Sequence, residues 1–89
     1  MKAVISVTGC DAVAIIAKVS SVCAEFDVNI VDISQTVLQE YFSMIMVVEI
    51  DHISAPFTVF VDRMSELGKA NCLEIHTMHE DIFNAMHRI

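Results

Sequence analysis

The run VNIVDISQTVLQEYFSMIMVVEI, residues 28–50, reads as two strands joined by a short turn. Residues 28–38 are rich in β-branched side chains and alternate, with Val31, Ile33 and Val37 against Asp32, Ser34 and Thr36. Gln39 and Glu40 form a short polar connection, and residues 41–50 follow as the second arm of a hairpin. That arm is apolar on both faces: Phe42, Met44, Met46 and Val48 on one, Ile45 and Val47 on the other. A strand of this kind belongs in the interior of a sheet with both sides covered.

On the N-terminal side, residues 2–8 alternate Ala3, Ile5 and Val7 with Ser6 and Thr8, predicting a strand. Gly9, Cys10 and Asp11 break it, and Asp11 is placed to cap a helix over residues 12–26. Ile15, Ile16, Val19, Val22, Cys23 and Phe26 recur there at helical spacing. Asp27 falls where the chain must turn left-handed out of the helix. On the C-terminal side, Ser54 and Pro56 open a second helix carrying Phe57, Phe60, Met64 and Leu67, which is expected to stop at Gly68. Residues 72–78 form a fourth strand, and Glu80 and Asp81 begin a short terminal helix. The order β-α-β-β-α-β describes an α+β, ferredoxin-like domain filling residues 1–89. Its four-stranded antiparallel sheet carries two helices on one face, with a short C-terminal helix appended.

The 89 residues are 55% apolar, with only two Gly and one Pro. A chain this short buries about 60–65% of its unfolded surface, so hydrocarbon is in surplus. A second copy shielding the helix-free side of the sheet is the simplest remedy. The net charge is −7, and Lys2, Lys18, Arg63, Lys69 and Arg88 are scattered. Nucleic acid and anionic membranes need clustered cations, so neither is expected as a partner. Three widely spaced cysteines without a CxxC fit a reducing, cytoplasmic setting better than a disulfide framework. Ser6, Thr8 and Asp11 interrupt what would otherwise resemble a signal sequence.

Several constellations could carry chemistry. His76 and His79 are three apart on or beside a strand, which sends them to opposite faces, so no metal is expected. Cys10 stands at a helix start, where a thiol is acidified, but Asp11 opposes that effect and no histidine is its sequence neighbour. The turn at residues 9–14 offers backbone N–H groups to a small anion, and Asn29 offers an amide that donates and accepts. Equally, Asp11 could only cap the helix and Asn29 only satisfy local backbone.

The segments VTGxD (residues 7–11), IIAKVS (15–20) and NIVDISQT (29–36) together resemble an ACT domain. The nearest group is the free-standing ACT proteins, the UPF0237 family, akin to ACT portions of glycine cleavage regulators and formyltetrahydrofolate deformylase. The likeness continues through VLQEYFSM (37–44) and into the terminal IFNAMHRI (82–89), so it covers essentially the whole chain. It implies a non-catalytic regulatory module without a cofactor. Such a module homodimerises side by side or face to face and holds a small metabolite, such as an amino acid, at the subunit interface. The ligand positions it implies are Gly9, Cys10, Asp11, Ala14, Asn29, Ile30 and Val31. The group usually has Gly where this chain has Ala14 and Asp27. A Cβ at Ala14 should narrow the pocket, and the Asp27 carboxylate should favour an ammonium over a carboxylate. The alternative function is a protein–protein association module without a small ligand, and a partner enzyme fits either reading.

Overall fold

The computed structural model describes residues 1–9, 14–38 and 41–86. Its elements are β1 (Lys2–Gly9), α1 (Ile15–Glu25), β2 (Asn29–Leu38), β3 (Tyr41–Glu49), α2 (Phe57–Ala70), β4 (Glu74–His79) and α3 (Glu80–Met86). The four strands form one antiparallel sheet in the order β2-β3-β1-β4. The expected ferredoxin-like architecture is the one found.

Strand alternation builds the core. Ala3, Ile5 and Val7 of β1 pair with Val48, Met46 and Met44 of β3 and, with Phe42, all point beneath the helices. α1 contributes Ile15, Val19, Val22 and Cys23 at helical spacing, and α2 contributes Phe60 and Met64. Phe26, just past α1, meets Phe60 edge to face with ring centroids 5.4 Å apart. No described helix is long and apolar enough to cross a membrane.

Helix ends differ from the sequence expectation in instructive ways. α1 leaves through a full Schellman motif: Val28 N–H donates to Cys23 O (2.9 Å) and Asp27 N–H to Ala24 O (3.2 Å). Asp27 takes the left-handed conformation expected of it, with φ 56°. α2 does not stop at Gly68. It runs to Ala70, and Leu73 N–H closes back on Gly68 O at 2.8 Å, which makes Cys72 the left-handed residue at φ 57°. Gly68 is glycine for a packing reason: a Cβ there would lie 2.8 Å from Leu73 O and 3.2 Å from Ile75 Cγ1. Nor does Ser54 cap α2, whose N-cap is Pro56. α1 starts at Ile15 behind a left-handed Ala14 (φ 58°), three residues later than the pattern suggested. Asp11 lies outside the described residues.

The helix-free face is not the apolar surface that the composition argument placed there. Register aligns Thr36, Ser43, Thr8 and Glu74 in one row across all four strands, and Ser34, Ile45, Ser6 and His76 in the next. β3 is interior, yet Tyr41, Ser43 and Ile45 on this side are exposed. Val4, only 2% exposed on this side, sits in the row of Val47 and Met78, where α3 packs against β1 and β4.

Uncovered hydrocarbon on the sheet is divided between Tyr41 and Ile45 on the helix-free face and Val31, Ile33 and Val37 on β2. As the outer strand it lies beyond the helices, and every residue from Val31 to Val37 is exposed. A bulge between Ile30 and Asp32 resets the alternation, so that Ile30 and Ile33 both face the helix side, opposite Val48 and Met46. Ile33 and Val37 are 36% and 64% exposed in that position. An edge of ten residues with this composition is a template for another strand.

Candidate functional site

The implied ligand positions fall into two groups that one chain does not bring together. Gly9 ends β1 in the row of Phe42 and Val37, and Ala14 opens α1 at that same end. Cys10 and Asp11 lie outside the described residues. Asn29 pairs with Glu49, which pairs with Lys2, so Asn29 stands at the opposite end of the sheet. Seven residues of strand separate the two rows, about 23 Å at the usual rise. The sequence neighbourhood of the two segments conceals this distance, because α1 carries the chain from one end of the sheet to the other.

Local packing explains part of each group. Gly9 leaves room for Leu73, whose Cδ2 lies 2.5 Å from where a Cβ would stand. Ala14 occupies a backbone conformation that favours glycine, so a glycine there would have a backbone reason that needs no ligand. Ile30 is half-buried and packs on the core opposite Val48, whereas Asn29 is exposed and Val31, the bulge residue, is 47% exposed.

The Asn29 end is acidic. Asp27, Asp32 and Glu49 surround it in sequence and register, with Lys2 across β3. Asp32 Oδ1 accepts a hydrogen bond from Ile33 N–H at 2.9 Å, which braces the bulge. Asp51 pairs with the N-terminal ammonium, whose hydrogen bond holds that carboxyl below the usual range.

The remaining candidates disperse. His76 sits on the helix-free face, 3.4 Å from Glu74, whereas the His79 ring lies under the helices, 4.3 Å from Phe57. Among the described residues, no three His, Cys, Asp or Glu side chains are arranged to hold a metal ion. Cys23 is buried in the core, and burial pushes its thiol up to about 11, so it is not a nucleophile at neutral pH.

The alternation pattern did not single out a cleft of about 670 Å³ on the helix-free face, near the end of β1. Thr8, Thr36, Tyr41, Ser43 and Glu74 line it, together with Gly9, Phe42 and Cys72, and more of its lining is apolar than polar. Each of those polar residues is visible as an outward position of its own strand. Only the register of three strand pairs, which no single strand reveals, puts them together.

The sequence and the fold are similar to those of known proteins. The ACT domain family model matches residues 2–75. A UPF0237 protein of Clostridium acetobutylicum is 46% identical over 89 residues, spanning all of both chains. The solved ACT domain protein from Streptococcus pneumoniae is 42% identical, superposes with a TM-score of 0.81, and covers 98% of each chain. A formyltetrahydrofolate deformylase from Pseudomonas syringae shares the fold alone, at 18% identity and a TM-score of 0.77, over 88% of this chain and 27% of that one. With the family model matching most of the chain and relatives alike over their full length, the chain belongs to the ACT domain family, among the UPF0237 proteins.

Proposed function

We propose that this chain is a non-catalytic regulatory module that homodimerises along β2 and holds a small metabolite where the two copies meet. The observation that carries the reading is the separation of the two site groups. Two outer strands pairing antiparallel bring the beginning of one β2 beside the end of the other. Asn29 of one copy then approaches the Gly9 and Ala14 end of its partner. The exposed row of Ile33 and Val37 supports the same pairing, because it gains cover from an equivalent row. The acidic setting of Asn29 favours a ligand that presents an ammonium there, as an amino acid or amine does. Regulation would then pass to a partner enzyme in the cytoplasm through whichever surface the ligand orders.

The second reading, an association module without a small ligand, draws on the packing reasons found for Gly9 and Ala14, which need no ligand. Sedimentation and thermal shift with a panel of amino acids and amines separate the two. The first reading expects a dimer at micromolar concentration and a saturable rise in melting temperature. Asn29→Ala should abolish that rise and keep the dimer. Val37→Lys, which sets like charges on a shared edge, should abolish both. A dimer that no member of the panel stabilises favours the association module. A monomeric parent protein overturns the β2 pairing.

A further inference from the structure

The cleft on the helix-free face lies within one chain and does not need the β2 pairing. Part of its lining is the row Thr36, Ser43, Thr8, one hydroxyl from each of three adjacent strands, and Gly9, Phe42 and Cys72 add an apolar part. Strand spacing sets neighbouring members about 4.8 Å apart, so any two adjacent members match a pair of alternate hydroxyls on a six-membered sugar ring and the third is left to a substituent or water. All three residues are exposed, and none of their hydroxyls hydrogen-bonds a described residue. Each can therefore both donate and accept. Tyr41, 60% exposed and two residues before Ser43 on the same face, adds an aromatic plane beside the row. On the other side stands Glu74, the one charged residue among the described lining.

We propose that this cleft binds a small polyhydroxylated ring without phosphate or carboxylate, a monosaccharide or amino sugar. Three hydroxyls in line suit a ligand that offers alternating donors and acceptors, and the tyrosine plane suits the C–H face of a ring. A carboxylate with no cation in the described lining repels phosphorylated and acidic sugars and attracts an amino group. A volume near 670 Å³ lies within the range of small-molecule sites.

The test is a titration of the ¹⁵N-labelled protein with glucose, glucosamine and glucose 6-phosphate, following backbone amides. Glucose and glucosamine should shift the amides of Thr8, Thr36 and Ser43 saturably, with glucosamine the tighter of the two. Glucose 6-phosphate should bind at least fivefold more weakly. Ser43→Ala and Thr36→Val keep strand-compatible side chains at exposed positions. Each should raise Kd by roughly two- to tenfold, the effect of one hydrogen bond, with the melting temperature unchanged. Val37→Lys should leave sugar binding intact, which separates this site from the dimer interface. Absence of saturable shifts at these amides, shifts located elsewhere, or equal affinity for the phosphorylated sugar overturns the proposal.

Discussion

Removing one Cβ at the end of α2 should stabilise this protein, and adding one four residues earlier should destabilise it. Cys72 holds φ at 57° so that Leu73 N–H can reach Gly68 O at 2.8 Å. A side chain in that conformation costs about 1–2 kcal/mol through contact of Cβ with the following carbonyl. Glycine relieves the contact but adds about 0.5–1 kcal/mol of backbone entropy in the unfolded chain. Cys72 is exposed, so its removal forfeits little packing. The net for Cys72→Gly is a gain of about 0.5–1 kcal/mol, or a rise of roughly 2–8 °C in melting temperature for a domain of this size.

Gly68→Ala runs the other way. Its new Cβ meets the Leu73 carbonyl oxygen at 2.8 Å, and that atom is backbone, in a residue tied to the helix end by its own N–H bond to Gly68 O. Overpacking of this kind costs about 1–3 kcal/mol, against at most about 1 kcal/mol gained from alanine's helix propensity. Thermal denaturation by circular dichroism, in reductant and at one protein concentration because association shifts the midpoint, reads both variants. If α2 ended at Gly68 and residue 72 belonged to the strand, Cys72→Gly would lower the midpoint. That result would refute the account of this helix end.

Asp27→Gly, at the left-handed end of α1, should stabilise by less than Cys72→Gly, because aspartate tolerates that conformation better, and Ala14→Gly should also raise the midpoint. Denaturant melts of all three glycine variants give the order. The Cys23 thiol, raised by burial from 9.0 to about 11, favours its neutral form in the folded chain. Its contribution is complete below pH 9 and is lost as pH climbs to 11. Urea midpoints at pH 8 and pH 11 should therefore fall further apart for the parent than for Cys23→Val. The Arg63–Glu25 pair, 3.5 Å apart and well exposed, should matter little. Glu25→Gln is expected to change stability by less than about 0.5 kcal/mol, measured by the same melts.

Strand alternation and helical stripes were legible from residue order alone, because each depends on side chains a few positions apart. Ile5 beside Val7, or Val19 beside Val22 and Cys23, declares a face without any knowledge of the rest. Helix ends were partly legible: Asp27 revealed its left-handed turn, whereas Gly68 misled, since a glycine needed for close packing looks the same as one needed for a positive φ. The apolar character of β3 on both faces marks an interior strand, which it is, but not one covered on both sides, since Tyr41, Ser43 and Ile45 are exposed. Its extension to the whole helix-free face failed, since Thr8, Thr36 and Ser43 belong to that face as much as Ile45 does. The site residues fared likewise. Asn29 and Gly9 belong to segments that the resemblance pairs, but distance in space is set by which end of the sheet each strand enters.

Where the surplus hydrocarbon sits also constrains how two copies can meet. For two β2 edges to continue one sheet, helices must stay on a common side, so a helix-side residue of one copy must stand opposite a helix-side residue of the other. Beyond the bulge, Ile33, Gln35 and Val37 are helix-side, and Asp32, Ser34 and Thr36 are not. Antiparallel partners then sum to an even number, and the twofold axis passes through a residue that faces its own equivalent. An axis at Gln35 sets Ile33 against Val37 on the helix side and Ser34 against Thr36 on the other. A sum shifted by one would set Ile33 or Val37 against the partner's polar face. The bulge at Val31 ends the self-complementary stretch, because Ile30 is helix-side yet even-numbered and would fall opposite an outward residue, so matched pairing is confined to the residues beyond it. In the proposed pairing, the beginning of β2 would stand beside the far end of its neighbour, and a dimer whose axis lies elsewhere on β2 would leave Asn29 facing solvent.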